Sequence, residues 1–168
     1  SLHSVPNCIK RAFTEKTHIS NEMIDQLMDT NRGIVYTDSK ILEVIPQEYN
    51  VGNRAVSDIV GMQIEQMEAN FLNIISRSSL TENIEKCIQA TDYEIAELLI
   101  TPQILGNTIL SASEKRSGCA LVDIGADTTA ISVYTNNILR KLIVLPIGSN
   151  NATIDLAKTL TITTEPEE

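Results

Sequence analysis

Tryptophan is absent from these 168 residues, and four tyrosines with two phenylalanines bring the aromatic share to only 4 %. Proteins that grip single-stranded nucleic acid stack its bases on aromatic side chains, and this chain has too few to build such a surface. Positive charge is also scarce: 13 Lys and Arg stand against 22 Asp and Glu, a net charge of -9. With no basic stripe to neutralise phosphates, nucleic acid is excluded as a partner. No apolar run approaches the roughly 20 residues that a membrane-spanning helix needs, and no leader-like stretch opens the chain, so a cytoplasmic protein is expected. Cys8, Cys87 and Cys119 are odd in number and widely spaced, which argues against a disulfide framework or a Cys/His metal cluster and for reduced thiols packed as small apolar groups. His3 and His18 have no partner at catalytic spacing.

What is present is concentrated near the C-terminal end. The apolar run Cys119-Ala120-Leu121-Val122 leads into Asp123-Ile124-Gly125-Ala126-Asp127-Thr128-Thr129. This pattern predicts a buried strand that delivers one carboxylate to its end, a glycine that lets the backbone turn towards an anion, and hydroxyls and N–H groups for phosphate oxygens. Asp123 suits water-mediated Mg²⁺, which sheds its waters reluctantly and takes few protein oxygens. A strand over Ala130–Tyr134, an Asn136-Asn137 turn tolerant of positive φ, a strand over Ile138–Ile147, Gly148 and a helix entered through Asn150 or Asn151 complete the pattern. Gly148 fits a close approach near a nucleotide or a strand terminator.

Strand, phosphate turn, hairpin, glycine and helix is the order of the actin-like ATPases. The segments Asp123 to Thr129 and Pro146 to Ala157 resemble the second phosphate segment and following helix of one family within them, the FtsA cell-division proteins. Two further blocks support the resemblance: Val44-Ile45-Pro46-Gln47-Glu48-Tyr49 with Asp58 to Met62, like the inserted subdomain 1C, and Leu110 to Gly118, like the family's linker into the nucleotide domain. This chain departs from the family pattern at Ala126 and Asp127, where glycines are usual, at Ser149, where a second glycine is frequent, and at Ile59, where proline is common.

Along the chain, residues 1–17 read as a strand with Pro6 at an edge or end. Ser20 offers an N-cap to a helix with Met23, Ile24, Leu27 and Met28 at helical spacing, stopped by Asn31-Arg32-Gly33. Strands follow at Ile41–Ile45 and Met67–Arg77. Ser79-Leu80-Thr81-Glu82 reads as a capping box for a helix whose apolar stripe is Leu80, Ile84, Cys87 and Ile88, and Ile95–Ile100 as the next strand. Thr101-Pro102 opens a helix with Ile104, Leu105, Ile109 and Ala112 on its buried face; Ser113–Ser117 reads as a polar connector. Glu48, Asp58 and Glu43 read as solvated charge.

The expectation is a mixed α+β and α/β chain of actin-like (ribonuclease H-like) fold. Residues 1–17 would end the first subdomain, 18–100 would form the inserted strand-helix-strand-strand unit, 101–116 a helix and connector, and 117–168 the first part of subdomain 2A. An actin-like ATPase needs roughly twice this length, because its nucleotide lies between two domains, so an internal piece carrying half a nucleotide site is expected. The resemblance implies ATP and Mg²⁺ as cofactors of the complete protein, held here by Asp123, Gly125, Ala126, Asp127, Thr128, Thr129 and Gly148, with no catalytic residue in this chain. It also implies self-association into filaments, later division proteins as partners through residues 18–100, and FtsZ and the inner membrane face as partners through regions elsewhere. A pilus-assembly actin homologue and, more remotely, a sugar or acetate kinase share the turn and remain as alternatives.

Overall fold

The computed structural model describes residues 2–91 and 93–160. The elements run β1 (His3–His18), α1 (Asn21–Arg32), β2 (Ser39–Val51), β3 (Arg54–Val56), β4 (Gln63–Arg77), α2 (Ser78–Gln89), α3 (Thr101–Ile109), α4 (Ala112–Ser117), β5 (Cys119–Ile124), β6 (Thr129–Thr135), β7 (Ile138–Leu145) and α5 (Ser149–Leu160). The strands form one antiparallel sheet in the order β3-β2-β4-β1-β7-β6-β5. β1 pairs with β4 from His3 to His18, so residues 3–18 share a sheet with the span that follows them. Among the described residues it pairs with β7 at His3 alone, opposite Ile143. Pro6 therefore sits where the outer side of β1 has already parted from β7, a position that needs no ladder N–H.

β4 is covered on both faces, which explains its nearly unbroken apolar end, Phe71-Leu72-Asn73-Ile74-Ile75. Met67, Ala69 and Phe71 share one core with Leu27 of α1 and with Val44, Tyr49 and Ile59. Leu72 and Ile74 belong to a second core with Ile100, Tyr134, Leu139 and Leu142. Full burial of side chains of this size stabilises by roughly 1.5–3 kcal/mol each. The first core encloses a chain of amides: Asn7 donates to Asn31 at 2.7 Å, Asn31 to Asn73 at 2.5 Å, and Asn73 to the Tyr36 hydroxyl at 3.0 Å. Asn31 and Asn73 are fully buried, and these bonds offset their desolvation.

Several expectations need correction. No capping box forms at Ser79–Glu82, because β4 runs straight into α2: Arg77 is the N-cap, with no side-chain cap bond. The Ser78 N–H donates to Asp38 at 3.0 Å, and the Thr81 hydroxyl bonds back to the Ser78 carbonyl at 2.8 Å. Thr81 faces inward, while Leu80, Ile84 and Cys87 are exposed. Residues 95–100 form no strand; only Ile100 is buried there. α3 buries Pro102 and Gly106 rather than Ile104 and Ile109, because Gly106 packs onto the Tyr134 ring. The connector at 113–117 lies within α4, which carries a true capping box between Ser111 and Glu114. Ile59 is fully buried, and its turn is held by the Val60 N–H on Asp58 Oδ1 at 2.9 Å.

Candidate functional site: the turn between β5 and β6 and its junctions

β5 pairs with β6 from Cys119–Tyr134 to Ile124–Thr129, which brings Asp123 opposite Ala130. β5 is the last strand of the sheet and is not buried as expected: Val122 and Ile124 are exposed and Asp123 is half-buried. The reason is positional, since an edge strand is covered only by what lies beyond it. The turn is closed by the Gly125 N–H donating to the Thr128 carbonyl at 2.9 Å.

The entry of α5 is fastened to this turn. The N–H groups of Ser149 and Asn150 donate to the carbonyls of Gly125 and Ala126, each at 2.9 Å. The Asn150 side-chain amide donates to Asp127 Oδ1 at 2.9 Å. The Asn151 side chain accepts from the Gly148 N–H at 3.0 Å, and the Thr129 hydroxyl donates to the Ile147 carbonyl at 2.7 Å. A Cβ on Gly148 would stand 2.2 Å from the Ala126 carbonyl oxygen, so this backbone approach requires glycine. At the far end of the hairpin, Asn136 and Asn137 take φ of 55° and 63°, and their N–H groups donate to the Arg116 and Lys115 carbonyls at the end of α4.

The structure thus gathers Gly125, Ala126, Asp127, Thr128, Thr129 and Gly148 into one cluster next to Asp123. The first amides of α5 are consumed by the turn's carbonyls. The N–H groups of Ala126, Asp127 and Thr128 have no intramolecular partner among the described residues. Three successive amides on an exposed turn, beside a carboxylate and the exposed Thr128, form a set of oxygen ligands and N–H donors that fits a hydrated Mg²⁺ and a phosphate. Asp127, an outlier in sequence, is anchored to α5 through one carboxylate oxygen.

A second cluster was missed by sequence reasoning. Glu48 is not solvated charge: both its oxygens accept from the Arg140 guanidinium, one at 2.7 Å, and Gln47 Oε1 accepts from Arg140 at 3.0 Å. Gln47 also donates to the Leu139 carbonyl at 3.0 Å. Arg140 holds the Glu48 carboxyl below the usual carboxylate range, against the opposing effect of burial. Gln47 and Glu48 stood in the sequence as part of the Val44–Tyr49 block, with nothing to join them to Arg140.

Comparison with known proteins gives the family. Residues 120–166 match the family described as "Cell division protein FtsA", and residues 1–75 match the "SHS2 domain inserted in FTSA". The second match begins ahead of residue 18 and ends ahead of residue 100. The chain is 32 % identical to the cell division protein FtsA of Neisseria meningitidis over 82 % of its own length and 34 % of that protein's. It is 29 % identical to FtsA of Bacillus subtilis over 96 % of this chain and 37 % of the relative, and 28 % identical to FtsA of Escherichia coli K12 over 92 % and 37 %. The chain therefore spans about a third of the length of these relatives. A solved structure described as a PilM-PilN type IV pilus biogenesis complex superimposes with a TM-score of 0.59 at 12 % identity, covering 96 % of this chain and 45 % of that one. At that identity it speaks for the fold alone, and the fold is the expected one, α+β with the inserted subdomain. With two family matches on separate parts of the chain and relatives that agree along most of it, the chain belongs to the FtsA family.

Proposed function

We propose that this chain contributes one wall of an ATP site and an inserted interaction unit to an actin-like cell-division protein. The observation that carries the reading is the turn at 123–128, fastened to α5 through Gly148 while its own amides at 126–128 have no partner among the described residues. In this reading those amides and the Thr128 hydroxyl bind phosphate oxygens. Asp123 and the second carboxylate oxygen of Asp127 hold the water shell of Mg²⁺. Bound Mg²⁺ supplies positive charge that screens the phosphates from both carboxylates. Gly125 and Gly148 keep the backbone close enough for the turn to hold its shape, and Thr129 braces β6 against Ile147. No residue of the chain is assigned a catalytic role.

The complete protein would link the FtsZ ring to the inner face of the membrane, polymerise, and recruit later division proteins through residues 18–100. The names of the relatives support the division reading. A pilus-scaffold reading rests on fold similarity only. Mn²⁺ in place of Mg²⁺ tests the site: in the full-length protein, ATP-dependent paramagnetic broadening should fall on amide signals of residues 124–129. Broadening that spares this segment would reject the assignment.

A further inference from the structure

The Gln47–Glu48–Arg140 cluster is built from two irregularities in the sheet. Along β2, Pro46 lies opposite Phe71 and Tyr49 opposite Ala69, so β2 carries one residue more than β4 across this step. Along β7, Lys141 lies opposite Val133 and Leu139 opposite Tyr134, which leaves Arg140 as the extra residue. Each is a β-bulge. A bulge costs ladder pairing and re-aims a side chain out of the normal alternation, so it persists where that side chain has work to do.

The two bulges meet. β2 and β7 are not neighbours, since β4 and β1 lie between them in the sheet order, yet Arg140 reaches Glu48 with both terminal nitrogens and Gln47 with one. Beyond the second core, in which Leu72 and Ile74 pack with Tyr134, Leu139 and Leu142, the hydrogen-bonded link between the two parts of the sheet among the described residues is one strand pair, His3 with Ile143, and the Ser4 hydroxyl bridging the Leu142 N–H and carbonyl at 2.9 and 3.0 Å. The Arg140 and Glu48 side chains are 22 % and 33 % exposed, so solvent screens this pair less than an ordinary surface pair. A fork-to-fork guanidinium–carboxylate contact also fixes orientation, which a lysine would not. Arg140 lies five residues, or about 17 Å of strand, from Leu145, which pairs with Thr129 beside the candidate phosphate turn.

We propose that Gln47, Glu48 and Arg140 form a latch that makes the β6–β7 hairpin and the β2–β3 edge move as one body, so that occupancy of the turn is felt on the inserted unit. The part about occupancy rests on the phosphate reading of the turn; the mechanical part does not. The second core already packs β4 against β6 and β7; the clamp adds a directional, charge-assisted tie between two strands that do not pair in the sheet.

Hydrogen exchange on the full-length protein, with and without Mg-ATP, tests both parts. Without nucleotide, Arg140→Ala should speed exchange at residues 45–50 by about tenfold or more, and Glu48→Ala should do the same at 139–142, the scale set by losing a charge-assisted pair. The swap Glu48→Arg with Arg140→Glu should recover most of the protection, which separates pairing from a general loss of packing. Arg140→Lys, which keeps charge and folding, should recover little. Unchanged exchange across the junction in the alanine variants, or full recovery by lysine, would overturn the latch. With Mg-ATP, the wild type should gain protection at β2–β3 and Arg140→Ala should lose that gain while still binding nucleotide. A wild type that binds nucleotide with no change at β2–β3 overturns the occupancy part. Failure of the wild type to bind would reject the reading of the turn instead, and the latch then stands or falls on the nucleotide-free exchange.

Discussion

At Gly148 an added Cβ would meet only backbone: the Ala126 carbonyl oxygen at 2.2 Å, its carbon at 2.4 Å and the Asp127 nitrogen at 2.6 Å. None of these can swing aside, so Gly148→Ala should destabilise by about 1–3 kcal/mol, as overpacking does. A denaturant midpoint equal to that of the wild type would contradict the contact. Tyr134 presents the opposite case. Its hydroxyl is buried without a hydrogen-bond partner among the described residues, and burial, with smaller contributions from Cys119 and Glu43, raises its pKa. Removing an unsatisfied buried hydroxyl should cost nothing or stabilise, so Tyr134→Phe should melt at or above the wild-type temperature. A clear loss of stability would mean that the hydroxyl has a partner. For Gly148 the sequence left open a close approach or a plain strand terminator, and the backbone contact with Ala126 shows the close approach. The role of Arg140 was not legible in sequence, because a bulge depends on the register of two strands and leaves no local mark.

Among the elements, helical periodicity located α1, α2 and α3 but gave the buried face correctly only for α1. Hydrophobic spacing reports that a face is apolar, not what covers it. Leu80 and Ile84 on α2, Ile104 and Ile109 on α3, and Val122 and Ile124 on β5 are all apolar at regular spacing and all exposed, in a chain spanning about a third of its relatives. Strand signals fared likewise: β4 was legible because both its faces are apolar, whereas Ile95–Ile100 has strand-like composition and no strand beside it. The pairing of β1 with β4 along its length bears on where a self-sufficient unit begins. Residues 1–91 should melt cooperatively, while 18–91, which strips β1 from β4 and removes Asn7 from the amide chain, should bind apolar dyes and melt broadly. Equal cooperativity in both would show that β1 is dispensable.

On the scale of the whole molecule, two cores share β4, and the two parts of the sheet are joined by the second core, by β1 with Ser4, and by the Arg140 cluster. Glu48 gives that joint a pH dependence with a definite sign. Its folded-state pKa is lowered, chiefly by the Arg140 hydrogen bond, so its contribution is present above the ordinary carboxylate range and is lost as pH falls through the lowered value. Stability of the wild type should therefore fall more steeply on acidification than that of Glu48→Gln, measured by denaturant titration from neutral pH downward; parallel curves would show that the pair contributes nothing. The family was legible at this scale because the Asp123–Thr129 segment and the Val44–Tyr49 block are each contiguous in sequence. The way the two parts are fastened was not, because it joins residues 92 apart.

The central claim is that the turn at 123–128 holds Mg-nucleotide through Asp123. Calorimetry of Mg-ATP binding to the full-length protein, for the wild type and Asp123→Asn, each with Mg²⁺ and with a chelator, addresses it most directly. The account predicts that Asp123→Asn weakens binding about tenfold or more with Mg²⁺, the equivalent of about 1.4 kcal/mol, and changes it little with the metal removed. Equal affinity of the two proteins in the presence of Mg²⁺ would contradict it.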